Sequence, residues 1–540
     1  MLLVLGAVLV AVFVMRAGPG GHPDPPDPFR SLDRSRDDRA QTTGSASVTG
    51  PASATGPASA TAPEPATGPA RVIGPAADGG ACTGVDVGVD ADLQGMIDAH
   101  PPGTAFCLSP GVHRLVTPVV PRRGDALVGR AGAVVRGSKV LSGWRPDGAA
   151  WSAPGFLPSG PGTSGQCRPD TPGCARAEDV FLDGRRLARV GERSAVTGGT
   201  VYADYATNTV TVGSDPTGHL VEQAVAPSLV RAVVDDVTVA GLVLEQVASP
   251  AQTAVVEARQ VSPPASGSGW RVVNNEVRFG HGIGIGIASR GTVSGNVIHD
   301  QGQLGFAVWG DGATISDNQV FANGVAGYSS EWEAGGGKLW STDGVTLARN
   351  DVFGNVGPGL WADGGNIRTT YRNNKVADNR GAGIQHEISY DAVIVHNVIS
   401  GNGRPDKGWA WDAGIQIQSS GGNELIEVAH NIVRDNVNGI VLLDSGDRVA
   451  EQPASHGPHI VRNVWVHDNT VAMRRGQLTG AVADVPSQIF GPEARVAFDH
   501  NTYRLDPADG EFFAWQHKTL DWGAWRDLGA RHDPHGRLER

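Results

Sequence analysis

Short runs of alternating apolar and polar residues fill most of the chain after residue 225, separated by Gly, Asn and Asp. These β-branched runs recur every seven or eight residues, which predicts three short strands in each turn of a solenoid. Such coils stack at the strand spacing of about 4.8 Å and bury one continuous apolar column. The pattern therefore predicts an all-β fold, a parallel β-helix.

Asparagine marks the phase of each coil. One column comprises Asn275, Asn296, Asn318, Asn350, Asn374, Asn397 and Asn431, with a looser echo at Asn463. Five residues after five of these positions a second column follows, comprising Asn323, Asn355, Asn379, Asn402 and Asn436. The shorter steps span 21–24 residues, and longer ones contain insertions. Stacked side-chain amides hydrogen-bond from coil to coil, so we expect two ladders along the solenoid.

Composition narrows the choice of function. The 540 residues include 75 glycines and carry a net charge of −12. High glycine content without a strict triplet period excludes collagen and fits a turn-rich β protein. The acidic balance argues against nucleic acid as a partner, since that needs a basic surface.

The N-terminal 80 residues indicate export. Residues 1–16 are an apolar run ending at an arginine, which predicts a signal or signal-anchor segment whose cleavage stays open. Residues 17–80 are rich in Pro, Ala, Ser and Thr and predict an extended linker. We expect a secreted protein, or one tethered to the membrane through this segment alone.

The four cysteines all precede residue 175 and form no CxxC pair, so zinc is not suggested. The local pairing Cys82–Cys107 with Cys167–Cys174 is our prediction among three connectivities, and four free buried thiols are the alternative. Disulfides would agree with export.

The coil pattern resembles the right-handed parallel β-helix proteins of the pectate-lyase-like superfamily. Leu93 to Cys107 resembles the short capping helix and first strand of such proteins. The resemblance implies a right-handed single-stranded helix, interrupted by a small inserted β module. The expected boundaries are 81–140 for the cap and first coils, 141–222 for the module, 223–505 for the β-helix and 506–540 for a C-terminal cap. Lyases, hydrolases, epimerases and adhesins share this fold, so it names no substrate.

Carboxylates fall in one outward column when each coil is phased on its inward apolar residue. The column comprises Trp309, Glu331, Asp363, Glu387, Gln418 and Leu443. Like charges on adjacent strands destabilise each other unless a proton, cation or base intervenes. Lys338 is available nearby, together with Glu333. Chance clustering of solvated surface acids is the alternative.

Aromatic and amide side chains are expected to wall this column. The predicted substrate-binding set is Trp309, Trp332, Trp340, Trp361, Gln385, His386, Tyr390, Asp391, Trp409, Trp411, Gln416 and Gln418. Exposed tryptophan stacks on the apolar faces of sugars. The alternative is that the tryptophans pack the insertions onto the helix.

Three segments also resemble a signature of a group of secreted bacterial β-helix proteins. They are Glu333-Ala-Gly-Gly-Gly-Lys338, Gly359-Leu-Trp-Ala-Asp363 and Gly383-Ile-Gln-His-Glu-Ile-Ser-Tyr-Asp391. The resemblance implies that Glu333, Lys338, Asp363, His386, Glu387 and Tyr390 share one site, and it supplies no reaction. The phase of His386 is inward, so a buried structural histidine is the alternative for it.

Stacked carboxylates suit glycoside hydrolysis, which pairs a protonated with an ionised carboxyl. We expect a hydrolase of a polysaccharide, acting as a monomer, with Asp363 and Glu387 as the pair and Glu331 or Glu333 tuning them. One alternative is a polysaccharide lyase or C5-epimerase with Lys338 as base and Ca²⁺ on the acidic column. The other is a non-catalytic glycan-binding protein. No cofactor is firmly predicted beyond this Ca²⁺.

Overall fold

The computed structural model describes residues 82–159, 165–260, 265–445 and 456–539. The predicted signal segment and linker, residues 1–80, lie outside these ranges. Within the described ranges, no helix is long and apolar enough to cross a bilayer.

Three long sheets of parallel strands run side by side along the chain and form the walls of a β-helix. The first sheet contains Val85–Val87, Ala105–Leu108, Ala126–Gly129, Thr238–Ala240, Arg271–Val273, Thr292–Ser294, Thr314–Ser316, Thr346–Ala348, Thr369–Arg372, Ala392–Val395, Gly421–Ala429, Arg462–His467 and Val496–Asp499. The second contains Gly111–Arg114, Ala133–Arg136, Val243–Val247, Glu276–Gly280, Val297–His299, Gln319–Phe321, Asp351–Phe353, Lys375–Ala377, Val398–Ser400, Ile432–Arg434, Thr470–Arg474, Thr502–Asp506 and Arg537–Leu538.

The third sheet, called the site sheet below, carries the predicted site residues. Its strands are Val230–Arg231, Ala254–Glu257, Ile283–Ile287, Leu304–Val308, Gly335–Trp340, Leu360–Asp363, Ile384–Glu387, Ala413–Gln418, Asn438–Asp444, Thr479–Ala483, Phe513–Trp515 and Lys518–Leu520. All of its pairings are parallel except the last. The predicted all-β parallel helix is confirmed.

A small β module is inserted between the early coils. Its strands are Ser138–Val140, Arg145–Asp147, Ala150–Pro154, Val180–Leu182, Arg185–Arg186, Ala188–Arg189, Thr200–Asp204, Thr209–Val212 and Val221–Ala224, in sheets of four and five strands. A short hairpin, Arg259–Gln260 with Ala265–Ser266, leaves the helix further on. The module packs around its own apolar cluster, which includes Val201 and Val210.

The interior is one continuous stack of Ile, Val, Leu and Phe side chains, as the alternation predicts. Phe306, Leu360, Ile384, Ile415 and Ile440 point inward from the site sheet and are buried. Each coil buries its inward apolar side chains against those of the next coil, so the core is continuous along the axis of the helix.

Both asparagine ladders are present. In the first, the amide of Asn374 donates to Asn397 Oδ1 at 3.0 Å, and neighbouring coils repeat the contact. The expected echo at Asn463 is wrong, because the ladder continues from Asn431 to Asn469 and Asn501. Asn463 lies within a strand of the first sheet and donates to the carbonyl of Gly422 instead.

Two short helices close the ends. Helix α1, Leu93–Ala99, begins at Asp92, whose carboxylate accepts from the Gly95 amide at 3.0 Å. It buries Leu93 and Ile97. Helix α2, Trp522–Asp527, buries Trp525 against the last coil. Single-turn 3₁₀ segments occur at Arg193–Ala195 and Pro492–Ala494.

Both predicted disulfides are present, Cys82–Cys107 and Cys167–Cys174. The first joins Cys82, just before the strand Val85–Val87, to Cys107 in the strand Ala105–Leu108 of the same sheet. The second closes a loop that lies against the site, where the Arg168 amide donates to the Gly327 carbonyl at 2.9 Å. Disulfides persist in oxidising compartments, which agrees with the expected export.

Candidate functional site

The site lies on the outer face of the site sheet, where two columns of side chains point away from the core. One column is Ala307, Lys338, Trp361, Gln385, Gln416 and Val441. The other contains Trp340, Asp363, Glu387, Gln418 and Leu443. Asp363 and Glu387 are direct neighbours in register, as predicted.

The predicted place of Glu331 in this column is wrong, because Trp340 occupies it. The insertion in this coil precedes the strand, so Glu331 lies in the loop before it, with its side chain 65% exposed. The inward position of the strand is Gly337, where a Cβ atom would meet the ring of Phe306 at 2.1 Å. The ring of Phe306 fills the space that an apolar side chain at position 337 would otherwise take. The sequence of this strand therefore lacks the inward apolar residue by which the other coils were aligned.

Lys338 is the buried centre of an ionic trio. Its Nζ lies 2.9 Å from Glu333 Oε1 and 2.8 Å from Asp363 Oδ2. The same ammonium stands 3.7 Å from the ring centroid of Trp361, in cation–π geometry. Burial alone would lower the pKa of Lys338, but the two carboxylates outweigh it and raise that pKa above its usual value. Lys338 is therefore held protonated.

Glu333 is the carboxyl of this trio that resists ionisation. Burial raises its pKa, the nearby Asp363 adds to the effect, and Lys338 opposes it without cancelling it. Two acids that share one ammonium carry one excess negative charge. The trio therefore has an affinity for a proton.

Glu387 lies one coil further and is held by neutral donors. Trp361 Nε1 donates to its Oε2 at 3.0 Å, Gln385 Nε2 to the same oxygen at 2.8 Å, and Gln418 Nε2 to its Oε1 at 2.9 Å. Gln416 Nε2 donates in turn to Gln418 Oε1 at 2.7 Å. Three N–H donors suit an ionised carboxylate, which only accepts hydrogen bonds.

A cavity of about 250 Å³ opens beside Glu387. Its lining residues are Ser330, Glu331, Pro358, Trp361, Gly381, Gln385, Glu387, Arg404, Lys407, Trp411, Asp412 and Gln418. Two insertions meet here, since Lys407 contacts Glu331 and Arg404 Nη1 donates to Ser330 at 3.4 Å. The contact with Lys407 lowers the pKa of Glu331, and burial raises the pKa of Asp412 despite Arg404.

The tryptophans divide into one exposed platform and several packed rings. Trp340, beside Asp363 in the outer column, is 53% exposed. Trp361 is buried, but lines the cavity together with Trp411. Trp309 has the guanidinium of Arg259 stacked 3.3 Å from its ring centroid, so that face is not open to a sugar.

Trp332 and Trp409 follow the packing alternative. Trp332 is half-buried against Tyr328, and Trp409 packs on the apolar cluster that contains Leu443 and Leu478. Neither ring lines the cavity beside Glu387, so their placement as sugar-stacking walls stays a prediction. Large apolar rings are more stable covered than wet, and the insertions supply the cover.

Three of the predicted residues lie away from the group formed by Glu333, Lys338, Asp363 and Glu387. His386 points inward and is fully buried, its Nε2 lies 2.7 Å from the Tyr390 carbonyl, and burial lowers its pKa to about 4. Tyr390 is buried, and its hydroxyl donates to the Gly457 carbonyl at 3.1 Å. Asp391 accepts from the Arg368 amide at 3.2 Å. The single site implied by the resemblance thus reduces to Glu333, Lys338, Asp363 and Glu387.

Sequence reasoning missed Arg259 and Ser445. Arg259 lies beyond the strand Ala254–Glu257, and its charge acts on Glu333. Ser445 accepts from Gln418 Nε2 at 2.9 Å. Counting rungs back from Lys338 leads through Ala307 and Gly286 to Glu257, two residues before Arg259. No sequence signal indicates Ser445.

Comparison with known proteins supports the architecture. A family model described as "Right handed beta helix region" matches residues 265–427 and 369–470. The chain is a right-handed parallel β-helix. No curated protein matches this β-helix by sequence at a significant level.

Solved structures resemble the β-helix at low identity. The complex of XylC with xylose has a TM-score of 0.54 and 16% identity, covering 78% of this chain and 82% of that one. The Azotobacter vinelandii mannuronan C-5 epimerase AlgE6 A-module has a TM-score of 0.47 and 14% identity, covering 83% and 92%. The catalytic unit of a GH87 α-1,3-glucanase from Streptomyces thermodiastaticus has a TM-score of 0.41 and 11% identity, covering 83% and 64%. The likeness to XylC concerns the fold alone.

Proposed function

We propose that this β-helix is a carbohydrate-active enzyme, a glycoside hydrolase that cleaves a polysaccharide at Asp363 and Glu387. One observation carries the proposal. The two carboxyls are register neighbours on an outer face, yet one is bound to an ammonium within a proton-binding trio and the other to neutral N–H donors. When two neighbouring carboxyls have different surroundings, their pKa values move apart, and one can act as the acid while the other acts as the base or nucleophile.

Glu387 takes the role of the ionised partner. Its hydrogen bonds favour the anion, and it lines the cavity in which a sugar ring would lie. In a retaining reaction, this carboxylate attacks the anomeric carbon while the glycosidic oxygen leaves with a proton.

Asp363 delivers that proton. Adjacent strands lie about 4.8 Å apart, and retaining enzymes hold their two carboxyls about 5 Å apart, so register neighbours suit this reaction. Glu333, whose pKa is raised, supplies a proton within the trio, while Lys338 stays charged and holds both carboxyls. Water then hydrolyses the glycosyl intermediate with Asp363 as base, so the anomeric configuration is retained.

The lyase and epimerase alternative is less well supported. It needs Lys338 as an unprotonated base, whereas two carboxylates hold that lysine charged. Ca²⁺ on this acidic face would have to displace Lys338 from both Glu333 and Asp363. A binding protein without activity has no need of the proton-binding trio.

The test is incubation of the full chain with a panel of polysaccharides, with product ends identified by mass. Asp363→Asn and Glu387→Gln should each lower the rate about 10²- to 10⁴-fold. Asp351→Asn, on the second sheet, is the matched control and should leave the rate unchanged. Asp363→Asn should lose less activity on aryl glycosides with good leaving groups, which need no proton, whereas Glu387→Gln should lose it on both.

Other outcomes would contradict the proposal. Activity abolished by a chelator, with unsaturated uronide ends among the products, would indicate the lyase. Glycan binding that survives the double substitution, with no product from any substrate, would indicate a binding protein. Inverted product configuration would refute the proposed roles of the pair.

A further inference from the structure

A histidine–carboxylate cluster lies at the C-terminal end, far along the chain from the candidate site. It is formed by Asp499, His500 and His535, whose ligand atoms all lie within 4.8 Å of one another. Among the described residues it is the one group of three His, Cys, Asp or Glu side chains with this spacing. Both imidazoles are exposed to solvent.

The carboxylate is oriented so that one oxygen faces both imidazoles. Asp499 Oδ1 accepts from the backbone amides of His500 at 2.9 Å and His535 at 3.0 Å. Its Oδ2 lies 3.1 Å from His500 Nδ1 and 3.0 Å from His535 Nδ1. Backbone donors on the outer oxygen resemble the supporting contacts that fix metal-ligating carboxylates.

These spacings match the edges of a tetrahedral coordination shell. Zn²⁺ binds His nitrogen and carboxylate oxygen at about 2.0–2.2 Å, which places neighbouring ligand atoms about 3.3 Å apart. The imidazole rings stack with centroids 4.7 Å apart and planes inclined by 27°, and both Nδ1 atoms lie within 3.1 Å of Asp499 Oδ2. Solvent exposure leaves room for water as a fourth ligand.

We propose that Asp499, His500 and His535 form a binding site for a divalent transition metal such as Zn²⁺. The ligands are Asp499 Oδ2 and the two Nδ1 atoms. The metal would fasten the C-terminal segment to the last coil, because Asp499 ends the strand Val496–Asp499, His500 follows it, and His535 precedes Arg537–Leu538 on the second sheet.

The backbone prepares this geometry. His500 adopts a left-handed conformation with φ of 55°, which turns its side chain back beside Asp499. The Gly536 amide donates to the Asp533 carbonyl, and the Arg537 amide donates to the Asn501 carbonyl, so the returning segment is held in place without the metal. A metal therefore meets ligands that are already positioned, and it adds stability by binding only the folded state.

The experiment is titration of the metal-free full chain with Zn²⁺ by calorimetry, together with Co²⁺ as a spectroscopic probe. We expect one equivalent to bind, tetrahedral Co²⁺ absorption, and a rise in Tm at saturating Zn²⁺. His500→Gln and His535→Gln should each weaken binding at least about tenfold and abolish the rise, since each removes one of three protein ligands. Two variants are used so that one remains informative if the other folds poorly.

His219→Gln is the matched control. His219 pairs with Asp183 on the surface but lacks a second imidazole, so this variant should bind Zn²⁺ as the parent does. The proposal is overturned if no stoichiometric binding occurs, or if both cluster variants bind with parental affinity. Hydrolase activity plays no part in these readouts, so the metal site stands or falls independently of the proposed function.

Discussion

Replacing Lys338 by Met tests the electrostatics of the site most directly. Methionine keeps an unbranched stem over Trp361 but removes the ammonium, which leaves Glu333 and Asp363 facing each other without a counter-charge. Removing one partner from a buried ion pair costs about 3–5 kcal/mol. Here the two carboxylates retain side-chain exposures of 19% and 23%, and this partial solvation reduces the expected loss to about 2–4 kcal/mol at neutral pH.

The loss should depend on pH with a definite sign. Burial raises the pKa of Glu333, and Lys338 opposes that rise, so without the ammonium the folded state binds a proton there more readily. The destabilisation is therefore full at neutral pH and shrinks as the solution becomes mildly acidic and Glu333 is protonated. In the parent, the raised pKa of Lys338 contributes stability that is present at neutral pH and is lost only in strongly alkaline solution.

Urea unfolding followed by tryptophan fluorescence, for parent and variant at both pH values, measures this difference. Adding Glu333→Gln and Asp363→Asn to Lys338→Met should restore much of the stability, since no buried charge then remains unpaired. A loss below about 0.5 kcal/mol at neutral pH, the level of an exposed ion pair, would refute the reasoning. A loss of equal size at both pH values would refute it as well.

Three further predictions follow from the packing. Trp340→Ala should raise KM about tenfold with little change in kcat or Tm. Trp465→Ala, at a residue on the first sheet that is 41% exposed, is the control and should leave KM unchanged; steady-state kinetics measures both. Cys167→Ser with Cys174→Ser should lower activity several-fold, with only a small change in Tm, because the bridge closes a short surface loop against the site; normal activity after reduction would contradict this. Asn374→Ala should cost about 3–5 kcal/mol in urea unfolding, since it leaves buried donors and acceptors on both neighbouring coils unsatisfied, and a cost below about 1 kcal/mol would contradict the ladder's role.

The sequence indicated the fold well because a solenoid repeats its signal. Asn275 and its successors recur every 21–24 residues except where a coil carries an insertion, and each coil repeats the same alternation of apolar and polar residues. The placement of Asp363 beside Glu387 followed because their coils contain an inward residue at the same phase, Leu360 and Ile384.

The remaining features depend on contacts that the repeat does not encode. Glu331 was misplaced because the inward residue of its coil is Gly337, a choice made necessary by the ring of Phe306 on the neighbouring strand. The cover on Trp309 comes from Arg259, 50 residues earlier in the chain. Such contacts join residues that are far apart in the chain, so no regular spacing in the sequence reveals them.

The first asparagine ladder ends on an acid. Asn501 donates to Asp533 Oδ1 at 2.9 Å, while the other oxygen of Asp533 accepts from Tyr503 and Trp525. An asparagine there would offer an amide onward to another rung, whereas a carboxylate offers none. The last rung of the ladder therefore offers no side-chain amide to a further rung, which disfavours the end-to-end stacking to which open arrays of strands are prone.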